Sequence, residues 1–142
     1  MDNKSRNKVL LIEDSMGDIE LFKEAIKTGE IDCDLEIIRN GSEAINFFKN
    51  EERNIADQLF LIVIDLNLPE ISGHFIIKEL RYNSKYYNIP INILSTSSAE
   101  TDVNMALRNG ANAYTTKSID LEEFLDTIKT MLRFWKKFNS IP

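Results

Sequence analysis

The sequence is poor in cysteine and histidine, with one residue of each among its 142 residues. A single cysteine, Cys33, excludes an internal disulfide bond and is typical of a protein from a reducing compartment. The lone His74 has no second histidine or cysteine partner with which to bind zinc or copper, and we expect it to be a surface residue near the start of a helix. The sequence therefore indicates neither a disulfide-stabilised domain nor a site for either of these two metals.

Long apolar runs and excess positive charge are also absent. The longest apolar run, Leu59–Ile64, has six residues, whereas a membrane-spanning helix needs about 20. The polar N-terminus, residues 1–8, lacks the apolar core of a signal peptide. Lys and Arg number 17 against 23 Asp and Glu, and the net charge of −6 argues against nucleic acid or an anionic lipid surface as a partner. We therefore expect a cytoplasmic protein that binds neither.

Short apolar runs, which predict buried strands, alternate with amphipathic stretches, which predict helices. The strands are predicted at Lys8–Ile12, Asp34–Arg39, Leu59–Ile64, Ile91–Leu94 and Ala111–Thr115, and the helices at Met16–Thr28, Ser42–Asn50, Phe75–Tyr82, Glu100–Arg108 and Asp120–Phe138. Ser42 and Asp120 are expected to cap their helices, and the charged stretch Glu51–Asp57 is expected to be a loop or a frayed helix end. Five β–α repeats predict an α/β fold in which helices cover both faces of a five-stranded parallel sheet. We expect residues 1–142 to form a single domain, with its core at about residues 8–138 and no output domain.

Polar side chains follow four of the predicted strands. Glu13 and Asp14 come after the first strand, Asp65 after the third, a run of hydroxyl side chains beginning at Ser95 after the fourth, and Lys117 after the fifth. In an open parallel sheet the carboxyl ends of the strands form the ligand-binding edge. The sequence therefore predicts that three carboxylates, hydroxyl groups and an ammonium group converge there.

This combination of side chains favours metal-assisted phosphoryl chemistry. Three neighbouring carboxylates repel one another, and a hard divalent cation such as Mg²⁺ relieves that repulsion through oxygen ligands. Lys117 and a Ser or Thr hydroxyl can contact phosphoryl oxygens. The pattern predicts phosphorylation of a carboxylate, with Asp65 as the nucleophile, the metal neutralising developing charge and Lys117 holding the product.

Five segments together resemble the receiver domain of two-component response regulators. They lie in this order at the predicted strand ends: Ile12-Glu-Asp-Ser15, Asp65-Leu-Asn-Leu-Pro-Glu-Ile-Ser-Gly73, Ser95-Thr-Ser97, Gly110-Ala111 and Ala113-Tyr-Thr-Thr-Lys117. The resemblance covers nearly the whole chain. It implies the flavodoxin-like (βα)5 fold of chemotaxis receivers, with strand order 2-1-3-4-5.

The resemblance also implies a role for each site residue. Asp65 is expected to be the phosphoacceptor, and Lys117 to pair with it or with its phosphoryl group. Asp14 is expected to bind Mg²⁺ directly, with Glu13 in the outer sphere and the backbone carbonyl of Asn67 as a further ligand. Two switch residues are also implied, the hydroxyl of Ser95 and the aromatic side chain of Tyr114. Apart from its own phosphorylation and dephosphorylation, we expect such a chain to catalyse no reaction.

One position departs from the family pattern. Receivers usually have a proline after the lysine, joined by a cis bond, and this sequence has Ser118. Since a cis bond before a residue other than proline costs about 2.5–4 kcal/mol, the bond is predicted to be either strained or trans with a rearranged loop. The charged stretch Glu51–Asp57, the hydroxyl run and the aromatic C-terminal end are similar to stand-alone receivers that partner bacteriophytochrome-type kinases.

The resemblance implies a sensor histidine kinase as phosphodonor and an unidentified downstream protein partner. A second apolar line on the last helix, formed by Phe124, Met131 and Phe138, predicts a homodimer through the fourth helix, fifth strand and fifth helix. Three other functions stay open from the sequence. They are a receiver that signals without phosphorylation, a small flavodoxin-like protein that binds FMN, and a haloacid-type phosphatase, which would need an aspartate in place of Asn67.

Overall fold

The computed structural model describes residues 6–138. Five strands, β1 to β5, span Lys8–Ile12, Asp34–Ile38, Leu59–Ile64, Ile91–Ser95 and Ala113–Thr116. Five helices, α1 to α5, span Met16–Thr28, Gly41–Lys49, Gly73–Arg81, Glu100–Asn109 and Leu121–Lys137. Each predicted element is present, and its ends differ from the prediction by no more than about two residues. The charged stretch before β3, predicted as a loop or a frayed helix end, forms two short 3₁₀ turns, Glu51–Arg53 and Ala56–Gln58.

The strands form one parallel sheet in the order β2-β1-β3-β4-β5, which confirms the predicted topology. β1 lies between β2 and β3, with Ile12 opposite both Ile38 and Ile64. The ends of β1 and β3 are therefore level with each other. The next residues along both strands, Glu13 and Asp65, start from the same edge of the sheet.

Apolar side chains cover both faces of the sheet. The face under α1 and α5 contains Phe22, Phe60 and Ile128, whereas the face under α2, α3 and α4 contains Phe48, Ile62 and Leu80. All six residues of β3 are fully buried. A continuous apolar strand of this kind is typical of the centre of a parallel sheet that has helices on both faces.

Side-chain caps set the starts of several helices. Asp120 accepts a hydrogen bond from the backbone N–H of Glu123, as its position before α5 predicts. Ser42, predicted as the cap of α2, is not the cap. Asn40 takes that role two residues earlier and accepts from the N–H of Glu43, because the helix already begins at Gly41.

The glycine at position 73 is required by the approach of α3 to the end of β3. Its N–H donates to the carbonyl of Leu66 over 3.0 Å. A Cβ atom at this position would lie 2.7 Å from the carbonyl oxygen of Asp65 and 2.7 Å from the Cα of Leu66. α3 can therefore begin this close to the Asp65 loop only if residue 73 lacks a side chain.

Within residues 6–138, none of the helices combines the length and the apolar character that crossing a membrane requires.

Candidate functional site

Three acidic side chains meet at the carboxyl edge of the sheet. Oxygen atoms of Glu13, Asp14 and Asp65 lie within 4.8 Å of one another. The backbone N–H of Asp65 donates to the carbonyl of Ile12 over 3.0 Å, which ties the loop after β3 to the end of β1. Glu13 is 2% exposed and Asp65 6%. The structure therefore brings the three predicted acids into a single, nearly buried cluster.

Burial and the nearby Asp65 make ionisation of Glu13 costly. Burial raises the pKa of its carboxyl group to about 7, and a hydrogen bond with Asp65 and the charge of Asp65 act in the same direction. Lys117 opposes this shift but does not cancel it. A cation bound among the acids would offset the contribution that Asp65 makes to this raised pKa.

Lys117 reaches the cluster from the end of β5. Its Nζ lies 2.9 Å from Glu13 Oε1, 2.7 Å from Asp18 Oδ2 and 3.5 Å from Asp65 Oδ2. Burial lowers the pKa of the ammonium group, but the hydrogen bond to Asp18 and the charge and hydrogen bond of Glu13 outweigh burial and leave the pKa raised. Lys117 is therefore a fixed positive charge beside Asp65.

Asp18 is a member of the site that the sequence analysis missed. It lies in the first turn of α1, where its backbone N–H donates to the side chain of the helix cap Ser15 over 3.2 Å. An acidic residue three positions after a serine cap is common at helix starts, so its sequence context suggested only a helix-stabilising role. Its contact with Lys117 joins residues 99 positions apart in the chain, and no local pattern signals such a contact.

Asn67 and Ser95 lie near Oδ1 of Asp65, whereas Lys117 lies near Oδ2. The backbone N–H of Asn67 donates to Asp65 Oδ1 over 3.0 Å, and its side-chain amide lies 3.4 Å from Ser95 Oγ. Ser95 is fully buried, and its Oγ also accepts the N–H of Ser97 over 3.1 Å. The structure thus places the predicted switch hydroxyl beside the acid cluster, at the start of the β4–α4 loop.

Tyr114 holds that loop from β5. Its hydroxyl donates to the carbonyl of Ser97 over 2.7 Å, and the hydroxyl of Ser97 contacts Asp102 over 2.6 Å. Asp102 also pairs with His74 Nε2 at 3.3 Å. His74, predicted to be a surface residue, is only 17% exposed in its side chain because it lies on the side of α3 that faces Asp102 of α4. A chain of polar contacts therefore links Tyr114 to α3.

The loop after Lys117 differs from the family pattern as the sequence predicts. No peptide bond in the described part of the chain is cis, so the bond between Lys117 and Ser118 is trans. The Ser118 hydroxyl accepts the backbone N–H of Asp120 over 3.1 Å and also contacts the side chain of Glu123. Ser118 thereby helps to set the start of α5.

The donor atoms of the acid cluster fit a hard divalent cation. Three carboxylates within 4.8 Å of one another supply oxygen ligands from two loops, which are the ligands that Mg²⁺ and Mn²⁺ prefer. Cys33 packs among apolar side chains under α5 and lies outside this cluster. The chemistry of the donors therefore supports a divalent metal site of the magnesium type.

Comparison with known proteins places this geometry in a family. The sequence model of the response regulator receiver domain matches residues 9–129. The chain belongs to the response regulator receiver family. It is a receiver domain of two-component signal transduction, and the family partners sensor histidine kinases and binds divalent metal.

Three matches, to two similar proteins, support this assignment. Response regulator Rcp1 from Synechocystis sp. is 34% identical over 135 residues, which cover 94% of this chain and 92% of Rcp1. The crystal structure of the phosphorylated cyanobacterial phytochrome response regulator RcpA matches with a TM-score of 0.86 and 31% identity, over 96% of this chain and 99% of RcpA. The Mn²⁺-bound structure of Rcp1 matches with a TM-score of 0.85 and 34% identity, over 96% and 99% of the two chains.

Proposed function

We propose that Asp65 is the phosphoacceptor of this receiver and that a sensor histidine kinase is the donor. One oxygen of Asp65 attacks the phosphorus atom of a phosphohistidine. The phosphorus–nitrogen bond breaks, its electron pair stays on the imidazole, and that nitrogen takes up a proton as it leaves. The product is an acyl phosphate on Asp65 and a neutral histidine.

One observation carries this proposal. Among the three clustered acids, Asp65 is the one that lies near Lys117 and also beside the hydroxyl end of β4. Its Oδ2 is 3.5 Å from Lys117 Nζ, and its Oδ1 accepts the N–H of Asn67, whose side chain contacts Ser95. A phosphoryl group on Asp65 would therefore have an ammonium group and a hydroxyl group within reach.

We propose Mg²⁺ as the resident cation. Asp14 and Asp65 would bind it directly, Glu13 would lie in its outer sphere, and the carbonyl of Asn67 would be a further ligand. When bound, the cation neutralises the charge that collects on the oxygens during phosphoryl transfer. The cluster of acidic oxygens supports this choice, and the Mn²⁺-bound structure of Rcp1 provides a related example.

The proposed response runs through Ser95 and Tyr114. A phosphoryl oxygen can accept a hydrogen bond from the Ser95 hydroxyl, and Ser95 shares the β4–α4 loop with Ser97, which Tyr114 holds. Tyr114 already packs against the core and donates to this loop. Movement of Ser95 toward the phosphoryl group would change the packing of the loop and, with it, the position of Tyr114. Phosphorylation would then shift the population between two arrangements of this surface.

We infer the partners from the same features. The likeness to RcpA, a cyanobacterial phytochrome response regulator, supports a phytochrome-type histidine kinase in the cytoplasm as donor. We propose that the phosphorylated chain, acting as a single domain, signals by contact with another protein. Two side chains of the predicted dimer line, Phe124 and Met131, are buried in the core, and only the third, Phe138, is exposed. The homodimer proposal therefore depends on other apolar side chains that are exposed near α4, β5 and α5, among them Met105, Leu107, Ile119, Leu121 and Phe134.

Intact-protein mass spectrometry tests the phosphoacceptor. After incubation with acetyl phosphate and Mg²⁺, we expect wild type to gain the mass of one phosphoryl group and Asp65→Asn to gain none. Asp126→Asn makes the same change at an exposed position of α5, and it should behave as wild type. If wild type gains no mass from acetyl phosphate or from a phytochrome-type kinase, the chain is a receiver that signals without phosphorylation.

A further inference from the structure

Lys117 has more acidic neighbours than a phosphoryl contact requires. An ammonium group has three N–H donors. Two of them are used in hydrogen bonds, to Glu13 over 2.9 Å and to Asp18 over 2.7 Å. Asp65 lies farther away, at 3.5 Å. The two shorter contacts leave one donor on the side of Asp65, where a phosphoryl oxygen would be.

Glu13 is not a dedicated anchor for this ammonium group. Its carboxylate belongs to the acid cluster with Asp14 and Asp65, and its second oxygen accepts the N–H of Ser15 over 3.2 Å. Glu13 is therefore shared between Lys117 and any cation in the cluster. Asp18 lies outside the cluster, and its backbone is fixed by the cap of α1.

We propose that Asp18 is a positioning residue for phosphoryl transfer, whose carboxylate anchors the Lys117 ammonium so that one N–H stays directed at Asp65. This inference rests on the proposed phosphoacceptor role of Asp65. A lysine side chain has four rotatable bonds and places its charge accurately only where other groups hold it. The short contact with Asp18, in the first turn of α1, fixes the position of the ammonium group. This contact does not depend on the acids that face the cation.

The first test measures the anchor itself in metal-free protein. The ammonium signal of Lys117, assigned with Lys117→Arg, is followed by ¹H–¹⁵N NMR, because such protons are visible only while their exchange with water is slow. Asp18→Ala should speed this exchange by about tenfold or more, the low end of what one hydrogen bond between charged groups contributes. Glu20→Ala removes an exposed acid from the same helix and should leave the exchange unchanged.

The second test measures the consequence for the reaction. Phosphorylation of Asp65 by acetyl phosphate should be about three- to tenfold slower in Asp18→Ala than in wild type, while Glu20→Ala keeps the wild-type rate. Because Asp18 is proposed to act through Lys117, the change should slow the reaction less than twofold in a Lys117→Met background. A residue that only stabilised α1 would have the same effect in both backgrounds.

The outcomes separate this inference from the proposed function. If wild type is phosphorylated on Asp65 and Asp18→Ala reacts at the wild-type rate or faster, the inference is wrong and the phosphoacceptor proposal stands. It is also wrong if the Lys117 ammonium exchanges as fast in wild type as in Asp18→Ala. If wild type takes up no phosphoryl group, the proposed function fails, and with it the role of Asp18 in the reaction.

Discussion

The two halves of the site are packed very differently. β1 and β3, which lead to Glu13 and Asp65, have at most 1% exposure at every residue from Val9 to Ile12 and from Leu59 to Ile64. On the other side, α4 has a single buried residue, Ala106, and no residue of β5 is fully buried. The acids of the proposed metal and phosphorylation site are thus held by a tightly packed half, and the proposed response lies in a thinly packed half.

This difference has a consequence for signalling. Apart from the backbone pairing of β5 with β4, the side-chain hydrogen bonds that hold the thinly packed half near the site involve Tyr114, Ser97, Asp102 and His74. A region with few buried apolar contacts opens at a lower free energy than the protein as a whole. A new hydrogen bond between Ser95 and a phosphoryl group can therefore move this half while β1 and β3 stay in place.

The largest expected effect is on stability, when one apolar side chain is truncated in each half and the losses are compared. Ile62 of β3 is fully buried, whereas Leu107 of α4 is 43% exposed. Ile62→Ala should lower the free energy of unfolding by about 2–5 kcal/mol because it leaves a cavity, and Leu107→Ala should change it by about 0.5 kcal/mol or less. Urea denaturation followed by Trp135 fluorescence measures both. Equal losses would show that the halves are packed alike.

The second prediction concerns an acid buried in the packed half. The pKa of Glu13 is raised to about 7 from an ordinary 4.5, so the folded protein keeps a proton that the unfolded chain releases. This contribution to stability is fully present below the unfolded pKa and is lost as the pH rises through 7. The total is no more than about 3–4 kcal/mol, since one pKa unit corresponds to 1.36 kcal/mol.

The pH dependence is measured as the free energy of urea unfolding in EDTA near pH 5 and near pH 8. Wild type should lose more stability between these two conditions than Glu13→Gln, in which residue 13 does not titrate. Glu20→Gln changes an exposed acid and should follow wild type. If Glu13→Gln lost as much stability as wild type, Glu13 would have an ordinary pKa and the cluster would not be desolvated.

The third prediction tests how closely the packed half surrounds Asp65. A Cβ atom at Gly73 would meet the carbonyl of Asp65 at 2.7 Å, so Gly73→Ala should cost about 1–3 kcal/mol of stability and slow phosphoryl uptake. Gly17, in the first turn of α1, has only Ser15 Oγ near its Cβ position, at 3.9 Å. Gly17→Ala should be neutral or stabilising by up to about 1 kcal/mol.

Urea denaturation and the rate of phosphoryl uptake are measured for both glycine variants. A Gly73→Ala protein with wild-type stability and rate would mean that the loop carrying Asp65 adjusts easily. The contrast in packing between the halves would then not extend to the reacting carboxylate itself.

The same contrast explains how much the sequence could predict. Apolar runs such as Leu59–Ile64 predict central strands directly, and a parallel sheet brings the residues after each strand to one edge. Glu13, Asp14 and Asp65 were found in this way. Asp18 was not, because it lies on a helix rather than at a strand end, and only the three-dimensional structure brings it to Lys117.

Local competition accounts for the other differences from prediction. Asn40 and Ser42 can both cap α2, and the cap falls to Asn40 because Gly41 already has helical backbone and lies against Ile71. His74 was assigned to the surface because its own helix gives no reason to bury it. Its partner Asp102 lies on α4, and the sequence does not show that these two helices are neighbours.

The smallest expected effect lies in the thinly packed half. Tyr114→Phe keeps the ring but removes the hydroxyl that donates to the carbonyl of Ser97 over 2.7 Å. The loss should cost about 0.5–1.5 kcal/mol, the usual contribution of one hydrogen bond. In hydrogen exchange measured by mass spectrometry, residues 96–102 should exchange faster, while β1 and β3 keep their wild-type rates.

Tyr82→Phe removes a hydroxyl from a side chain that is 84% exposed and should change neither region. Faster exchange in β1 or β3 of Tyr114→Phe would mean that the two halves open together, and phosphorylation could then not move one of them alone.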